Sequence, residues 1–118
     1  MERECEERLQ KITRGFQGCR AAFTALGDET RQLILMVLLE SDLSGIRVGE
    51  IAEKTHLTRP SVSHHLQILK EAGIVAMRKE GTRNYYYINL DETQWKEIVS
   101  LINLVYKSIG HNHDKEEA

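Results

Sequence analysis

The chain has 118 residues, of which 41% are hydrophobic and 29% are charged, and its formal net charge is −2. This length allows one domain, and the composition excludes an intrinsically disordered or collagen-like chain. The longest uninterrupted apolar run, Leu33–Leu39, is far shorter than the roughly 20 residues that a membrane span requires, which excludes a transmembrane protein. The amino-terminal residues alternate in charge and do not resemble a secretory signal, so we expect a cytoplasmic protein.

The first predicted helix carries one apolar stripe. Between Cys5 and Leu26 the apolar residues are separated alternately by four and three positions, which is the spacing of a heptad repeat. Gly15 and Gly18 weaken this helix in its middle, so the residues before Gly15 form either its beginning or a separate turn. Gly27 fits the left-handed conformation that ends a helix.

Two further helices follow. Asp28 is the predicted N-cap of a helix over about Glu29–Ser41. Its centre, Leu33–Leu39, is apolar on every side, so we expect a helix surrounded by others. A short polar loop then leads to a third helix of one or two turns, Val48–Lys54.

The fourth predicted helix is followed directly by a β-hairpin. Thr58 is the predicted N-cap, Pro60 lies in the first turn, and Gly73 ends the helix. The glycine between two β-prone segments predicts a hairpin turn. The two strands and their connection are Ile74–Lys79, Asn84–Asn89 and Glu80–Arg83.

The last predicted helix begins after Asp91 and carries a second heptad stripe that ends at Ile109. The polar residues from Gly110 onward predict a disordered tail.

Five helices with a hairpin before the last one are typical of a winged helix-turn-helix domain, so the predicted fold is mainly α with a small β-hairpin. In such a domain the second helix of the helix-turn-helix enters the DNA major groove. Val62, Leu66 and Leu69 share one face of the fourth helix. Residues on the opposite face include side chains that can donate and accept hydrogen bonds at base edges. This outward face carries Pro60, Ser63, His64 and Gln67.

The basic charge is concentrated in this part of the chain. Residues 59–83 have a net charge of +3, and the remainder has −5. A basic helix and hairpin on an acidic body is the expected pattern for a surface that binds DNA phosphates. Lys79, Thr82 and Arg83 lie at the hairpin, where a wing would contact phosphates or a minor groove. A solvated charged hairpin is the alternative interpretation of the same charges.

Three segments together resemble the ArsR/SmtB family of bacterial winged-helix repressors: Phe23–Arg31, Ser61–Val75 and Arg78–Tyr87. The resemblance covers roughly residues 20–108. It implies DNA contacts from Arg59, Pro60, Ser61, Ser63 and His64, with Arg78, Lys79 and Arg83 on the wing. The helical wheel places Ser61 at the flank of the outward face and His65 at the edge of the core.

The resemblance also implies a homodimer that is joined by the first and last helices and is released from an inverted-repeat operator by an inducer. The two heptad stripes agree with such an interface. Its predicted residues are Leu9, Ile12, Phe16, Phe23, Trp95, Ile98, Ile102, Val105 and Ile109. The chain then divides into a helical extension with the beginning of the dimerisation helix (1–19), the DNA-binding and dimerisation domain (20–109) and the tail (110–118).

The metal sites of the family are not matched. Arg47 and Gly49 occupy the positions of a cysteine pair, and no histidine occurs from Asp91 to Ile109, where zinc ligands lie in the family. DNA binding itself requires no cofactor, and the inducer remains open among a transition metal, a thiol-reactive compound or none.

Two weaker sensor candidates remain. Cys5 and Cys19 lie about 21 Å apart on a continuous helix, so they could be bridged only between antiparallel helices of two subunits. The alternative is that both cysteines are packing residues. His111 and His113 could ligate zinc or nickel together with other groups, or belong to a solvated tail.

Three other functions compete with DNA-binding regulation as interpretations of the same residues. An enzyme that uses Ser61, Ser63, His64 and His65 is excluded, because residues one or two apart on a helix do not face each other. RNA binding is disfavoured, since the A-form major groove is too narrow for a helix with side chains. A winged-helix protein-interaction module remains the alternative to sequence-specific DNA binding.

Overall fold

The computed structural model describes residues 3–91 and 93–117, with side chains described for 3–91 and 94–110. It confirms a mainly helical fold with one antiparallel hairpin before the last helix. No helix in these ranges is long and apolar enough to cross a membrane. The elements are α1 (Arg3–Gly18), α2 (Arg20–Leu26), α3 (Glu29–Glu40), α4 (Val48–Thr55), α5 (Arg59–Glu71), β1 (Val75–Glu80), β2 (Arg83–Ile88) and α6 (Thr93–Glu117).

The first helix is divided at Cys19, and α1 runs through Gly15 without interruption. Gly15 allows α1 and α6 to pack closely, because a Cβ atom at this position would lie 2.7 Å from Cδ1 of Leu101. The break therefore falls beside Gly18, one of the two predicted weak points, while Gly15 stays within α1 and allows the close contact with Leu101.

The core lies between α2, α3, α4, α5 and the hairpin. Its largest fully buried aliphatic side chains come from four separate parts of the chain and include Ile34, Ile51, Leu66 and Ile74. Val62, Leu66 and Leu69 are all fully buried, which confirms the predicted inner face of the fourth helix. This packing holds α5 in place and leaves its opposite face free for contacts outside the chain.

The expectation that α3 is surrounded on every side is wrong. Ile34 and Leu38 are buried, but Leu33, Met36 and Leu39 are exposed along one face of the helix. The buried side of α3 contacts α2, α4, α5 and β2. An apolar run therefore did not distinguish a helix with one buried side from a fully enclosed one.

The predicted signals at Asp28, Thr58 and Gly73 are confirmed, and the one at Gly27 is not. Asp28 caps α3 and Thr58 caps α5, each through a side-chain oxygen that accepts a backbone N–H. Gly73 has φ +77 and ends the helix as predicted. Gly27 is not left-handed: its φ of −77 continues helical geometry, and its N–H donates to the Phe23 carbonyl.

The hairpin is tighter than predicted. Glu80 pairs with Arg83, so only Gly81 and Thr82 connect the strands, and Gly81 has φ +62. Two residues with a positive-φ glycine are the usual connection of a tight hairpin. An additional bridge joins Ile46 to Tyr86, which ties the loop after α3 to the wing.

The last helix extends beyond its predicted end at Ile109. It begins at Thr93 and continues to Glu117, so residues 111–117 are helical where a disordered tail was expected. A single Gly110 costs only about 1 kcal/mol in a helix. Trp95 and Ile98 pack against the core of this chain, and Trp95 Nε1 donates to the Ile74 carbonyl at 3.0 Å. Both side chains are half-buried against the core of their own chain, and their place in the dimer interface stays a prediction.

Candidate nucleic-acid interface

The outward face of α5 presents its polar side chains to solvent. Ser63, His64 and Gln67 are exposed, as are Arg59 and Pro60 at the beginning of the helix. Thr58 Oγ1 accepts the Ser61 N–H at 3.2 Å, which fixes the first turn. The structure thus brings together the predicted base-reading residues on one face of α5, from its first turn to just past its middle, with Ser61 half-buried at the flank.

The two histidines of α5 have different surroundings. His65 is half-buried, and its Nδ1 lies 3.3 Å from Nη1 of Arg31, which can only donate. The His64 and His65 ring centroids are 5.6 Å apart. His65 therefore occupies the hydrogen-bonded position at the core edge that was expected, and only His64 points into solvent.

Gln67 is less available than the sequence implied. Its Nε2 donates to Oε1 of Glu71 at 2.9 Å, one turn further along α5. One of its two amide N–H groups is occupied, while the second N–H and the amide oxygen remain available. Ser63, His64 and Gln67 are therefore the residues of the outward face whose side chains can both donate and accept at a base edge.

The wing presents Lys79, Thr82 and Arg83, all of which are exposed. Arg83 pairs with Glu80 across the end of the hairpin, and Lys79 pairs with Asn84. Because successive side chains of a strand point to opposite faces, Lys79 and Arg83 extend from different sides of the wing. This gives the wing positive charge on both faces at its tip.

Arg78 is positioned differently from the other wing cations. Its Nε lies 3.2 Å from Oε1 of Glu80, and its guanidinium lies 4.6 Å from the centre of the Tyr85 ring. A Cβ at Gly45 would lie 2.7 Å from Arg78 Nη1. Arg78 thus fills the space between the wing and the loop after α3, and the structure does not bring it to the wing tip.

A groove of about 500 Å³ separates the wing from the beginning of α4. The Arg59 guanidinium lies over Gly49, where a Cβ would be 3.0 Å from Nη2. The sequence missed Arg47, Gly49 and Asn84 as parts of this surface. The signal available in the sequence was Gly49, a glycine in the first turn of a helix, two positions after Arg47. The groove is lined by residues that include Arg47, Gly49, Glu50, Glu53, Arg59 and Asn84.

The cysteines are not brought together. Cys19 is 1% exposed and lines the space between α1 and α6 of its own chain, while its bridge to Cys5 of a second subunit stays a prediction. Burial raises the pKa of the Cys19 thiol, the Glu97 carboxylate raises it further, and a hydrogen bond with Gln94 opposes both. Cys19 is therefore a neutral packing residue in this conformation, whereas Cys5 is half-buried.

No metal site is formed by the described residues, which contain no cluster of three or more His, Cys, Asp or Glu side chains suited to a metal ion. The side chains of His111 and His113 lie outside the described residues.

The outer surfaces of α1 and α6 carry unpartnered apolar side chains. Of the predicted interface residues, Leu9, Phe16, Ile102 and Ile109 are exposed, while Ile12, Phe23 and Val105 are half-buried. Two further exposed apolar residues of α6, Val99 and Tyr106, were not predicted from the sequence. The exposed apolar stripe of α6 is rotated around the helix relative to Trp95 and Ile98. We call this surface the outer seam, which consists of Leu9, Phe16, Val99, Ile102, Tyr106 and Ile109.

Comparison with known proteins points to one family. Residues 28–76 match the family model of the bacterial regulatory proteins of the arsR family. A helix-turn-helix transcriptional regulator of Methanocaldococcus jannaschii is 47% identical over 81 residues, which cover 69% of this chain and 86% of that protein. The transcriptional repressor SdpR of Bacillus subtilis is 36% identical over 85 residues, covering 72% of this chain and 90% of that protein.

A solved structure shares the fold. The homodimeric winged helix-turn-helix DNA-binding domain from Mycobacterium bovis, determined by solution NMR, superposes with a TM-score of 0.59 at 25% identity. The match covers 87% of this chain and 86% of that one. The match therefore extends well beyond residues 28–76, which the family model covers.

Proposed function

This chain belongs to the ArsR family of winged helix-turn-helix transcriptional regulators, and from this premise we propose that it is a homodimeric repressor that binds an inverted-repeat DNA operator and is released by an inducer. The proposed DNA contacts are made by protein side chains alone, so binding needs no cofactor.

One observation carries the DNA-binding proposal: Ser63 and His64 stand exposed on α5 while the fully buried Val62, Leu66 and Leu69 hold the helix from behind. A helix that is rigidly supported and polar on its outer face fits the B-DNA major groove. We propose Ser63, His64 and the Gln67 amide oxygen as base contacts.

The proposed phosphate contacts flank this helix. Arg59 lies at the beginning of α5, and Lys79, Thr82 and Arg83 lie on the wing. Such contacts fix the register of a protein on the duplex without reading its sequence. Pro60 and Ser61 form the first turn of α5, which would lie beside the DNA backbone. We assign Arg78 a bracing role, since Glu80 and Tyr85 already hold its guanidinium.

The homodimer is proposed from the outer seam. Six large apolar side chains, each about half exposed or more, lie on α1 and α6. Apolar surface arranged along two helices marks an interaction site, and a two-fold copy of the same surface can cover it. Two recognition helices related by a two-fold axis then read the two halves of an inverted repeat.

Fluorescence anisotropy with the DNA upstream of its own gene tests the proposed function. We expect His64→Ala to weaken binding by about 1–3 kcal/mol and to relax specificity at one base position. Arg83→Ala should reduce the salt slope of binding by about 1 per subunit, since one phosphate contact is lost.

Lys107→Ala is the matched control, because it removes an exposed cation from α6, away from α5 and the wing. Its affinity should equal that of the wild type. Equal operator affinity in the wild type, His64→Ala and Arg83→Ala would contradict sequence-specific binding through this surface. That result would favour the alternative, a winged helix that serves as a protein-interaction module.

A further inference from the structure

A second groove, of about 550 Å³, lies between α1 and α6. Gly15 and Gly18 contribute no side chains, so the surface of α1 is open beside its contact with Leu101. Leu101, Leu104 and the buried Cys19 complete an apolar floor. The size and the lining resemble those of small-molecule sites, which are mostly apolar with a few polar groups.

The rim of this groove is positively charged. Lys11 and Arg14 extend from α1, and Lys96 extends from α6, against the single carboxylate of Glu97. Among the described side chains, none of these three cations takes part in an ion pair. The residues that line the groove therefore have a net charge of +2, which attracts an anion, and the carboxylates of Glu4 and Glu7 lie beyond Lys11 at one end.

The groove faces away from the outer seam. On α6, Ser100 lines the groove and lies about 160° around the helix from Ile102 of the seam. On α1, Gly18 lies about 160° from Phe16 in the same way. A second copy of the chain on the outer seam would therefore leave most of this groove open to solvent, with Lys96 of the rim about 60° around α6 from Val99 of the seam.

We propose that the α1–α6 groove is a binding site for an amphipathic anion, a molecule with a carboxylate or sulfonate head and an apolar body. The head lies among Lys11, Arg14 and Lys96, and the body lies on Gly18, Leu101 and Leu104. A charged head that meets several cations forms charge-assisted hydrogen bonds, while the floor accepts only apolar atoms.

The thiol of Cys19 fits this assignment as part of the floor. Burial and the Glu97 carboxylate both raise its pKa, so the sulfur stays protonated and uncharged near neutral pH. A neutral thiol packs as a small apolar group. It therefore does not repel an anion, and the only negative group beside the site is Glu97 among the described lining residues.

A fluorescence titration of the full chain with anilinonaphthalenesulfonate, a sulfonate with an aromatic body, tests the site. We expect saturable binding that decanoate displaces and that decanol, which has the same chain length without the charge, does not. Lys96→Gln should weaken binding roughly tenfold, because one charged hydrogen-bond donor is lost. Lys107→Gln removes the same charge from α6 outside the groove and should bind as the wild type does.

Gly18→Met separates loss of the site from loss of the fold. A Cβ at Gly18 meets nothing within 4 Å, and methionine favours a helix more than glycine does. We expect its Tm to stay at or above the wild-type value while its side chain fills the groove and weakens binding by tenfold or more. Wild-type binding by Gly18→Met, or displacement by decanol as effective as by decanoate, would overturn the proposal.

A role for this site in induction rests on the proposed function and is tested separately. Decanoate should shift operator binding by the wild type and leave Gly18→Met unaffected; an unchanged wild-type affinity would overturn the inducer role. If the wild type bound no operator at all, the proposed function would fail. The anilinonaphthalenesulfonate titration would still show whether the groove binds an amphipathic anion.

Discussion

Asp28 and Thr58 each begin a helix with a side-chain oxygen that accepts a backbone N–H. Asp28 Oδ2 accepts from Arg31 at 2.9 Å, and Thr58 Oγ1 accepts from Ser61 at 3.2 Å. The hydrogen bond from the Arg31 backbone N–H has the largest effect and lowers the pKa of Asp28, desolvation opposes it as the second-largest effect, and the positive charge of Arg31 lowers the pKa further. The two caps have the same geometry, but only the Asp28 carboxyl titrates, whereas the Thr58 hydroxyl does not.

This difference predicts a pH-dependent and a pH-independent cap. Because the pKa of Asp28 is lower in the folded state than in the unfolded state, its stabilisation is present above the unfolded pKa and is lost as pH falls through the folded pKa. Asp28→Ala should lower the urea midpoint near neutral pH, and its difference from the wild type should shrink below about pH 3.9. Thr58→Ala should cost about 1 kcal/mol at every pH. A difference for Asp28→Ala that does not change with pH would contradict this account.

At the scale of elements, Arg31 joins three helices through one guanidinium. Its Nε donates to the Ala25 carbonyl at 2.8 Å, Nη2 to the Thr24 carbonyl at 3.3 Å, and Nη1 to His65 on α5. The last carbonyls of a helix have no partner within it, so these bonds close the end of α2. The same side chain thereby connects α2, α3 and the recognition helix.

We predict that Arg31→Lys destabilises the fold by about 2 kcal/mol, since an ammonium group cannot reproduce the planar set of donors and several charged hydrogen bonds are lost. Urea unfolding measures this difference. Arg20→Lys, an exposed arginine on α2, is the control and should stay within about 0.5 kcal/mol of the wild type. If both variants unfolded at the same midpoint, the connection through Arg31 would contribute nothing to stability.

At the scale of the whole molecule, the chain is elongated. Its radius of gyration is 18.2 Å and its extents are 59 × 25 × 21 Å, whereas a compact domain of this length has a radius of gyration of roughly 13.5 Å. The 25 residues of α6 extend well past the core that α2–α5 and the hairpin form. A long helix with an exposed apolar seam is most stable when a second copy covers it.

Ile102→Glu should therefore convert the proposed dimer to a monomer. A carboxylate buried in the seam without a partner should raise the dimer dissociation constant by roughly 100-fold or more. Sedimentation velocity measures the oligomeric state, and Leu43→Glu, which changes an exposed residue of the loop after α3, should leave it unchanged. An unaltered dimer in Ile102→Glu would show that the interface lies elsewhere.

The sequence by itself determined the features that depend on a few neighbouring residues. Asp28, Thr58 and Gly73 mark helix ends through their own side chains or φ angles, and the inner face of α5 follows from the spacing of its apolar residues. These signals act within one or two turns of the chain, so the order of elements and the outward position of Ser63 and His64 could be predicted.

Only the tertiary structure decided how distant elements meet. The glycine at position 15 is explained by Leu101, the inward orientation of Trp95 by the Ile74 carbonyl, and the wing attachment by the bridge from Ile46. Each contact joins residues more than twenty positions apart, and a helical period cannot tell whether a stripe faces its own core or a partner. The groove between α1 and α6 likewise exists only because the two ends of the domain pack side by side.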